Sequence, residues 1–140
     1  MRAMFERLKR LIVRPVDGTG QAGGARAEAT AARWLAGHGL KTLERNYRCK
    51  GGEIDLICED GHCIVFVEVR MRRRRDYGGA AASITHTKRR RIVLAARHWL
   101  SCRRRTATPP VCRFDVMLMA QADDPRPEWI RGAFDADARM

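Results

Sequence analysis

Asp55 and Glu68 stand in two short apolar segments that flank the dipeptide Asp60-Gly61. Two carboxylates about 7 Å apart repel by roughly 2 kcal/mol at an effective dielectric of about 20, and Asp is a poor strand former. A hard divalent cation offsets that repulsion. Magnesium takes oxygen ligands at about 2.0–2.1 Å and is often held by one or two carboxylates plus water. Such an ion orients a water and stabilises charge building on a phosphate. The chemistry open to this pair is therefore metal-assisted hydrolysis of a phosphate ester. An ordinary ion cluster is the other reading. Glu68 and Arg70 lie two apart on one strand and can pair, and Asp55 can simply face solvent at a sheet edge.

The elements that must position the pair are two strands, Gly52–Cys58 and Cys63–Arg70, both rich in Ile, Val and Leu. Asp-Gly between apolar runs is a strong hairpin signal. With Asp60-Gly61 as a two-residue turn, Glu59 faces His62, Cys58 faces Cys63 and Asp55 faces Phe66. Ile54, Leu56, Cys58, Cys63, Val65, Val67 and Val69 then form an apolar core face. Glu53, Asp55, Ile57, Ile64, Phe66, Glu68 and Arg70 form the other. On that second face Asp55 and Glu68 are diagonal neighbours, with α-carbons roughly 7–8 Å apart.

The chain has 140 residues and a hydrophobic fraction of 45%, which suits one globular domain. The expected organisation is a basic N-terminal extension and linker over 1–22, followed by a single domain over 23–140. No apolar run is long enough for a membrane span, and the N-terminus lacks the apolar segment of a secretory signal. Met4, Phe5, Leu8, Leu11 and Ile12 recur at helical spacing among basic residues, which suits a short packed extension, a membrane-surface helix or a targeting segment. Five cysteines with no paired C-x-x-C argue against a zinc site or a disulfide framework. They read as small buried hydrophobes in a reducing compartment, so a cytoplasmic location is expected.

Charge is informative because of where it lies. The formal net charge is +12, and residues 70–105 carry thirteen basic side chains against one acidic, Asp76. This zone begins at the end of the Glu68 strand and is interleaved with apolar residues, so it belongs to folded structure. It suits a polyanion gripped by Lys and Arg. Nucleic acid is the expected partner, through Arg72, Arg73, Arg74, Arg75, Arg89 and Arg90; acidic lipid or an acidic protein is the other possibility. Tyr77 either stacks on a base or packs within its loop.

Along the rest of the chain, Ala25–Gly37 favours helix, with Ala27, Ala31, Trp34 and Leu35 on one stripe and Gly39 as its stop. Leu40–Arg48 reads as a strand and Lys50-Gly51-Gly52 as a turn. Residues 72–82 read as a basic, Gly-rich loop. Ser83 or Thr85 caps a second helix running to about Cys102. Its apolar stripe carries Lys88, which either snorkels to solvent or reaches a charged site. Val111–Met119 and Glu128–Phe134 read as further strands. The order implies a mixed α/β fold with one sheet.

Gly24, Glu28 and Ala31, Trp34-Leu35, Asn46-Tyr47-Arg48, Gly52–Ile57, Val65–Arg70, Ser83 with Lys88, and Arg113–Val116 together resemble the YraN-like family. That bacterial family lies within the PD-(D/E)XK nuclease-like superfamily and is similar to Holliday-junction resolvases. The resemblance covers roughly residues 23–134. It implies a restriction-endonuclease-like αβββαβ core, a mixed central sheet flanked by helices. It implies Asp55 and Glu68 as metal-binding acids, the Val69 carbonyl as a further ligand, and Glu28 as an acid joining the site. Lys88 matches the polar position on the following helix. Arg70 stands where those nucleases carry lysine, and Ile54 where they carry proline. Arginine stays protonated at any working pH, so Arg70 is suited to hold a phosphate rather than to act as a base.

The expected function is a magnesium- or manganese-dependent endonuclease or phosphodiesterase acting on DNA, branched or single-stranded forms included. Asp55, Glu68, Arg70 and Lys88 would be its catalytic group. The alternative is a non-catalytic nucleic-acid-binding module on the same fold. A ribosome- or membrane-associated basic protein is a third reading, and a homodimer is compatible with any of them.

Overall fold

Ala27, Ala31 and Leu35 fall on one helical face, and all three are buried together with Ala32. The computed structural model describes residues 18–72, 84–103 and 110–136, with side chains described from residue 23 onward. Helix α1 spans Gly18–Ala36. It starts inside the stretch expected to be a linker, not at Ala25, although Gly18, Gly20, Gly23 and Gly24 disfavour helix there, so packing at its later turns and not local propensity carries it. It stops as expected at Gly39, whose φ is +94°. The Leu40 N–H then donates to the Leu35 carbonyl at 3.0 Å.

Strands β1 (Lys41–Cys49), β2 (Gly52–Asp60) and β3 (Cys63–Met71) form an antiparallel meander. Helix α2 (His86–Cys102) carries the chain back, so that β4 (Val111–Met119) runs parallel to β3. A parallel pair needs such a crossover. Strand β5 (Glu128–Phe134) closes the sheet antiparallel to β4, and the strand order is β1-β2-β3-β4-β5. No helix among the described residues is long and apolar enough to cross a membrane.

Both faces of this sheet are packed, which corrects the expectation of one core face. On one side Leu56, Cys58, Val65, Val67 and Met117 meet Ala27, Ala31 and Leu35 of α1. On the other, Ile57, Ile64, Phe66, Phe114 and Val116 meet Ile92, Ala95, Ala96 and Trp99 of α2. Ile54 lies with the α2 cluster although Leu56 lies with the α1 cluster. The alternation of β2 therefore breaks at Asp55.

The hairpin register also differs. The turn is Gly61-His62: Asp60 pairs with Cys63, Cys58 with Val65, Ile57 with Phe66 and Leu56 with Val67. The expected pairs Glu59 with His62, Cys58 with Cys63 and Asp55 with Phe66 do not form. Asp60 is drawn into the strand because Arg113 Nη2 donates to its Oδ2 at 3.1 Å, and Gly61 takes the left-handed φ of 59° that the turn needs. Glu68 follows Val67 and Asp55 precedes Leu56, so the two acids flank the last pair of the ladder and are not the diagonal pair of the expected register. The cysteines are all free, but they are not uniformly buried: Cys58 is buried, Cys102 is exposed and the other three are half-buried.

Candidate metal centre

The site forms where the β2–β3 ladder stops. Beyond Leu56 and Val67, a side chain replaces the backbone pairing: the Val69 N–H donates to Asp55 Oδ2 at 2.8 Å. On its other flank Asp55 lies opposite Asn46, between the pairs Arg45 with Leu56 and Tyr47 with Ile54. Asn46 has a φ of 50°, a left-handed conformation that Asn tolerates better than most residues. The two irregularities turn Asp55 out of the normal pleat, as bulges near functional sites do. One oxygen of Asp55 is thus fixed on β3, and the carboxyl also hydrogen-bonds with Glu28 and Glu68.

Glu68 is buried, yet no donor among the described residues reaches its Oε1. Burial, with the charge and hydrogen-bonding of the adjacent Asp55 carboxyl, pushes its pKa up to about 9. Glu28 reaches the same acid from α1. Burial and then Asp55 raise its pKa to about 7, against a hydrogen bond from Asn46 and the charge of Arg45. Asp55 is therefore flanked by Glu68 on β3 and Glu28 on α1, and both neighbours hold protons well above the ordinary carboxylate range.

Lys88 resolves in favour of the charged site. Its backbone N–H donates at 3.1 Å to Thr85, the N-cap of α2, which sets the start of the helix. Its Nζ then lies 2.8 Å from Glu53 Oε1 and 3.5 Å from Glu68 Oε2. Burial would depress the Lys88 pKa, but the Glu53 hydrogen bond and the Glu68, Glu53 and Asp55 charges outweigh it and raise it. Glu53 is correspondingly held below the usual carboxylate range, first by its hydrogen bond from Lys88. Gly52 permits this approach. A Cβ there would meet the Arg91 carbonyl oxygen at 2.7 Å and the Ala95 nitrogen at 2.9 Å, so only glycine lets β2 lie this close to α2.

Asp55, Glu68, Val69, Glu28 and Lys88 are thus gathered at one place. Arg70 follows Glu68 on β3, and its Nε is buried without a partner among the described residues. The Glu68–Arg70 ion pair considered from the sequence does not form among those residues. Arg72 is exposed and engaged by Glu128 at 3.2 Å. The Arg89 guanidinium lies 5.6 Å from the centre of the Phe134 ring, and Arg90 is exposed on α2. Arg73, Arg74, Arg75, Tyr77 and the alternative cap Ser83 fall outside the described residues. Asn46, Gly52 and Glu53 were not singled out for the site by sequence reasoning. The signal for the first two was present, since Asn and Gly inside strand patterns mark a bulge or a close backbone approach. Glu53 offered none beyond its charge.

Among the described residues no group of three or more His, Cys, Asp and Glu side chains is arranged to hold a metal ion. The three carboxyls are therefore not a ready-made cage. What the site does present is a hard, all-oxygen donor set of two carboxylates, Asp55 and Glu68. The Val69 carbonyl leaves its strand by the same edge as the N–H that Asp55 accepts. Glu68 Oε1 is buried with no hydrogen-bond partner among the described residues, so it is an oxygen that a metal ion could take in place of the proton. That set fits magnesium or manganese with water completing the shell, and does not fit a soft metal.

A five-stranded mixed sheet between two helices, with acids converging where β2 and β3 part, defines an α/β protein consistent with a restriction-endonuclease-like core. The model of the "Uncharacterised protein family UPF0102" matches residues 27–119. A UPF0102 protein of Nitrosospira multiformis is 52% identical over 114 residues, covering 81% of this chain and 93% of the relative. One of Dechloromonas aromatica is 55% identical over 120 residues, covering 85% and 93%. One of Cupriavidus taiwanensis is 55% identical over 120 residues, covering 84% and 86%. The chain belongs to the UPF0102, or YraN-like, family.

Proposed function

We propose that this protein is a divalent-metal-dependent phosphodiesterase acting on DNA in the cytoplasm. The observation that carries the reading is the convergence of Asp55 and Glu68 beside Lys88, with Glu68 Oε1 buried and without a hydrogen-bond partner among the described residues. Asp55, Glu68 and the Val69 carbonyl would hold magnesium or manganese, with Glu28 adjusting the charge of the site. When bound, the ion would supply Lewis-acid stabilisation of the phosphate and a lowered pKa for water. The rest of the chemistry belongs to the protein. Lys88, oriented by Glu53, would contact a non-bridging oxygen of the scissile phosphate. Arg70 would stabilise the transition-state charge and take no proton, since its guanidinium does not deprotonate.

The test is cleavage of duplex, single-stranded and branched DNA with magnesium or manganese. Wild type should cut at least one form, and Asp55→Asn should abolish cutting. Equal activity in the two proteins would end the reading. One observation favours a non-catalytic binding module instead. Lys88 is already engaged by two carboxylates, and arginine occupies the place where a catalytic lysine is expected. That alternative requires binding to DNA unaffected by chelator and no cleavage of any form.

A further inference from the structure

The end of α2 remote from Lys88 carries a cluster of side chains that the candidate metal centre does not use. His98 and Cys102 stand one helical turn apart, and Cys102 Sγ lies 4.0 Å from His98 Nδ1. Tyr47 of β1 meets the same nitrogen, its hydroxyl hydrogen-bonded to His98 Nδ1. A phenol oxygen, an imidazole nitrogen and a thiol sulfur therefore converge on one place. Lys88 lies about 15 Å back along the helix, at 1.5 Å per residue, so this is not the oxygen-lined site of Asp55 and Glu68. His98 and Cys102 are exposed, and an ion reaches them without unfolding. Tyr47 is half-buried against the α2 core cluster, which holds its oxygen in place.

Three features decide what the cluster takes. First, a ring nitrogen of neutral imidazole offers one lone pair or one proton, and both Tyr47 and Cys102 face Nδ1. A single hydrogen bond serves only one of them well, whereas a cation draws on all three atoms. Second, zinc binds sulfur at about 2.3 Å and imidazole nitrogen at about 2.0–2.1 Å in a tetrahedron, which places those two atoms roughly 3.6 Å apart. The 4.0 Å separation is within reach of that by a small rotation of the exposed Cys102 side chain. Third, Cys102 ends α2, where the helix dipole favours positive charge and no basic side chain of the last turn supplies it. Arg103, just beyond, rests its guanidinium 4.4 Å over the Trp99 ring. Sulfur and nitrogen donors select a borderline-soft ion over magnesium.

We propose that Tyr47, His98 and Cys102 bind zinc(II), with water in the fourth position. The thiol gives its proton to solvent on binding, and the ion ties the edge strand β1 to the end of α2. No cysteine pair is needed, because the helix supplies the spacing between one His and one Cys. The third donor is a phenol, so the cluster is not a group of three His, Cys, Asp or Glu side chains. The site requires neither magnesium nor nucleic acid and is independent of the proposed function.

The experiment is titration of the reduced full-length chain with cobalt(II), a spectroscopic stand-in for zinc, in excess magnesium. Wild type should bind cobalt with a sulfur-to-metal charge-transfer absorption, and zinc should displace it. Cys102→Ser should abolish that absorption, while Cys63→Ser, at the hairpin turn, should keep it. His98→Ala and Tyr47→Phe should each weaken binding by at least about tenfold. Zinc should raise the melting temperature of wild type and not that of Cys102→Ser. Absorption that survives Cys102→Ser, wild-type affinity in His98→Ala or Tyr47→Phe, displacement of cobalt by magnesium, or a melting temperature indifferent to zinc would each overturn the proposal. Zinc binding with these dependences but no DNA cleavage in magnesium would sink the proposed function and leave this site standing.

Discussion

The Val69 N–H donates to Asp55 Oδ2 at 2.8 Å, so a side chain holds β2 to β3 at the point where the backbone ladder gives out. The same carboxyl that would bind a metal is also a structural staple. Asp55→Ala should therefore cost stability, about 1–3 kcal/mol for a half-buried donor left without its acceptor. Asp55→Asn keeps an oxygen for Val69 and should unfold within about 1 kcal/mol of wild type, while losing metal affinity. Urea denaturation of the two variants, paired with calorimetric magnesium titration, separates the roles. Equal destabilisation by both substitutions would count against the staple.

The metal-free protein should become less stable as pH rises. Glu28 and Glu68 start from an ordinary value of 4.5 and are raised to about 7 and about 9 in the folded chain. Between those values the native state binds more protons than the unfolded state. Their contribution is therefore complete below 4.5 and is lost as pH climbs through 7 and then 9. Thermal melts in EDTA should show this decline. Glu68→Gln should remove its upper part, and saturating magnesium should flatten it because the ion replaces the protons. A metal-free melting temperature independent of pH over this window would refute the assignment.

Glu53 should act as the positioning residue of Lys88. Their ion pair is 2.8 Å long, and it opposes the depression that burial alone would impose on the lysine. Glu53→Gln should lower the Lys88 pKa, read by NMR titration of its side chain, and should loosen its approach to Glu68. No movement of that pKa would show that Glu68 and Asp55 suffice.

Gly52→Ala should push β2 away from α2. The added methyl would meet backbone atoms of Arg91 and Ala95 rather than a movable side chain. Overpacking of this kind costs about 1–3 kcal/mol. The Lys88 pKa should shift with it, as its distance from Glu53 and Glu68 grows. Wild-type stability in this variant would mean that the two elements separate freely.

Asp115 should be structurally indispensable. It is 0% exposed, and it accepts from Arg113 Nε at 3.1 Å, Trp129 Nε1 at 2.9 Å and the Gly132 N–H at 2.9 Å. Asp115→Ala leaves Arg113 with Asp60 alone and strands the Trp129 and Gly132 donors, and a buried donor left unsatisfied costs about 1–3 kcal/mol. Chemical denaturation measures it, and a loss below about 1 kcal/mol would mean that water replaces the carboxylate.

Local signals carried most of the fold. Strands Val111–Met119 and Glu128–Phe134 have the bounds their β-branched and aromatic runs imply, and Thr85 caps α2 as a hydroxyl before a helical stripe should. The hairpin slipped by one residue because Asp-Gly is only a local preference. Arg113, distant in sequence, holds Asp60 in the strand instead. The two-sided core was hidden for a related reason: alternation along β2 shows that two faces exist, but not that a helix covers each.

The chain's own order of residues determined that an aspartate and a glutamate would lie on the two strands of one hairpin, because a hairpin is a short-range object. It also settled that basic charge would gather on the segment after Glu68. Tertiary structure decided how the acids meet and what attends them. The break at Asp55, Glu28 arriving from α1, and Lys88 held between Glu53 and Glu68 all arise from packing two helices on opposite faces of one sheet. Contacts between elements so far apart along the chain leave no periodicity in the sequence, because they depend on how closely the layers approach, and at Gly52 that is set by the absence of a single side chain.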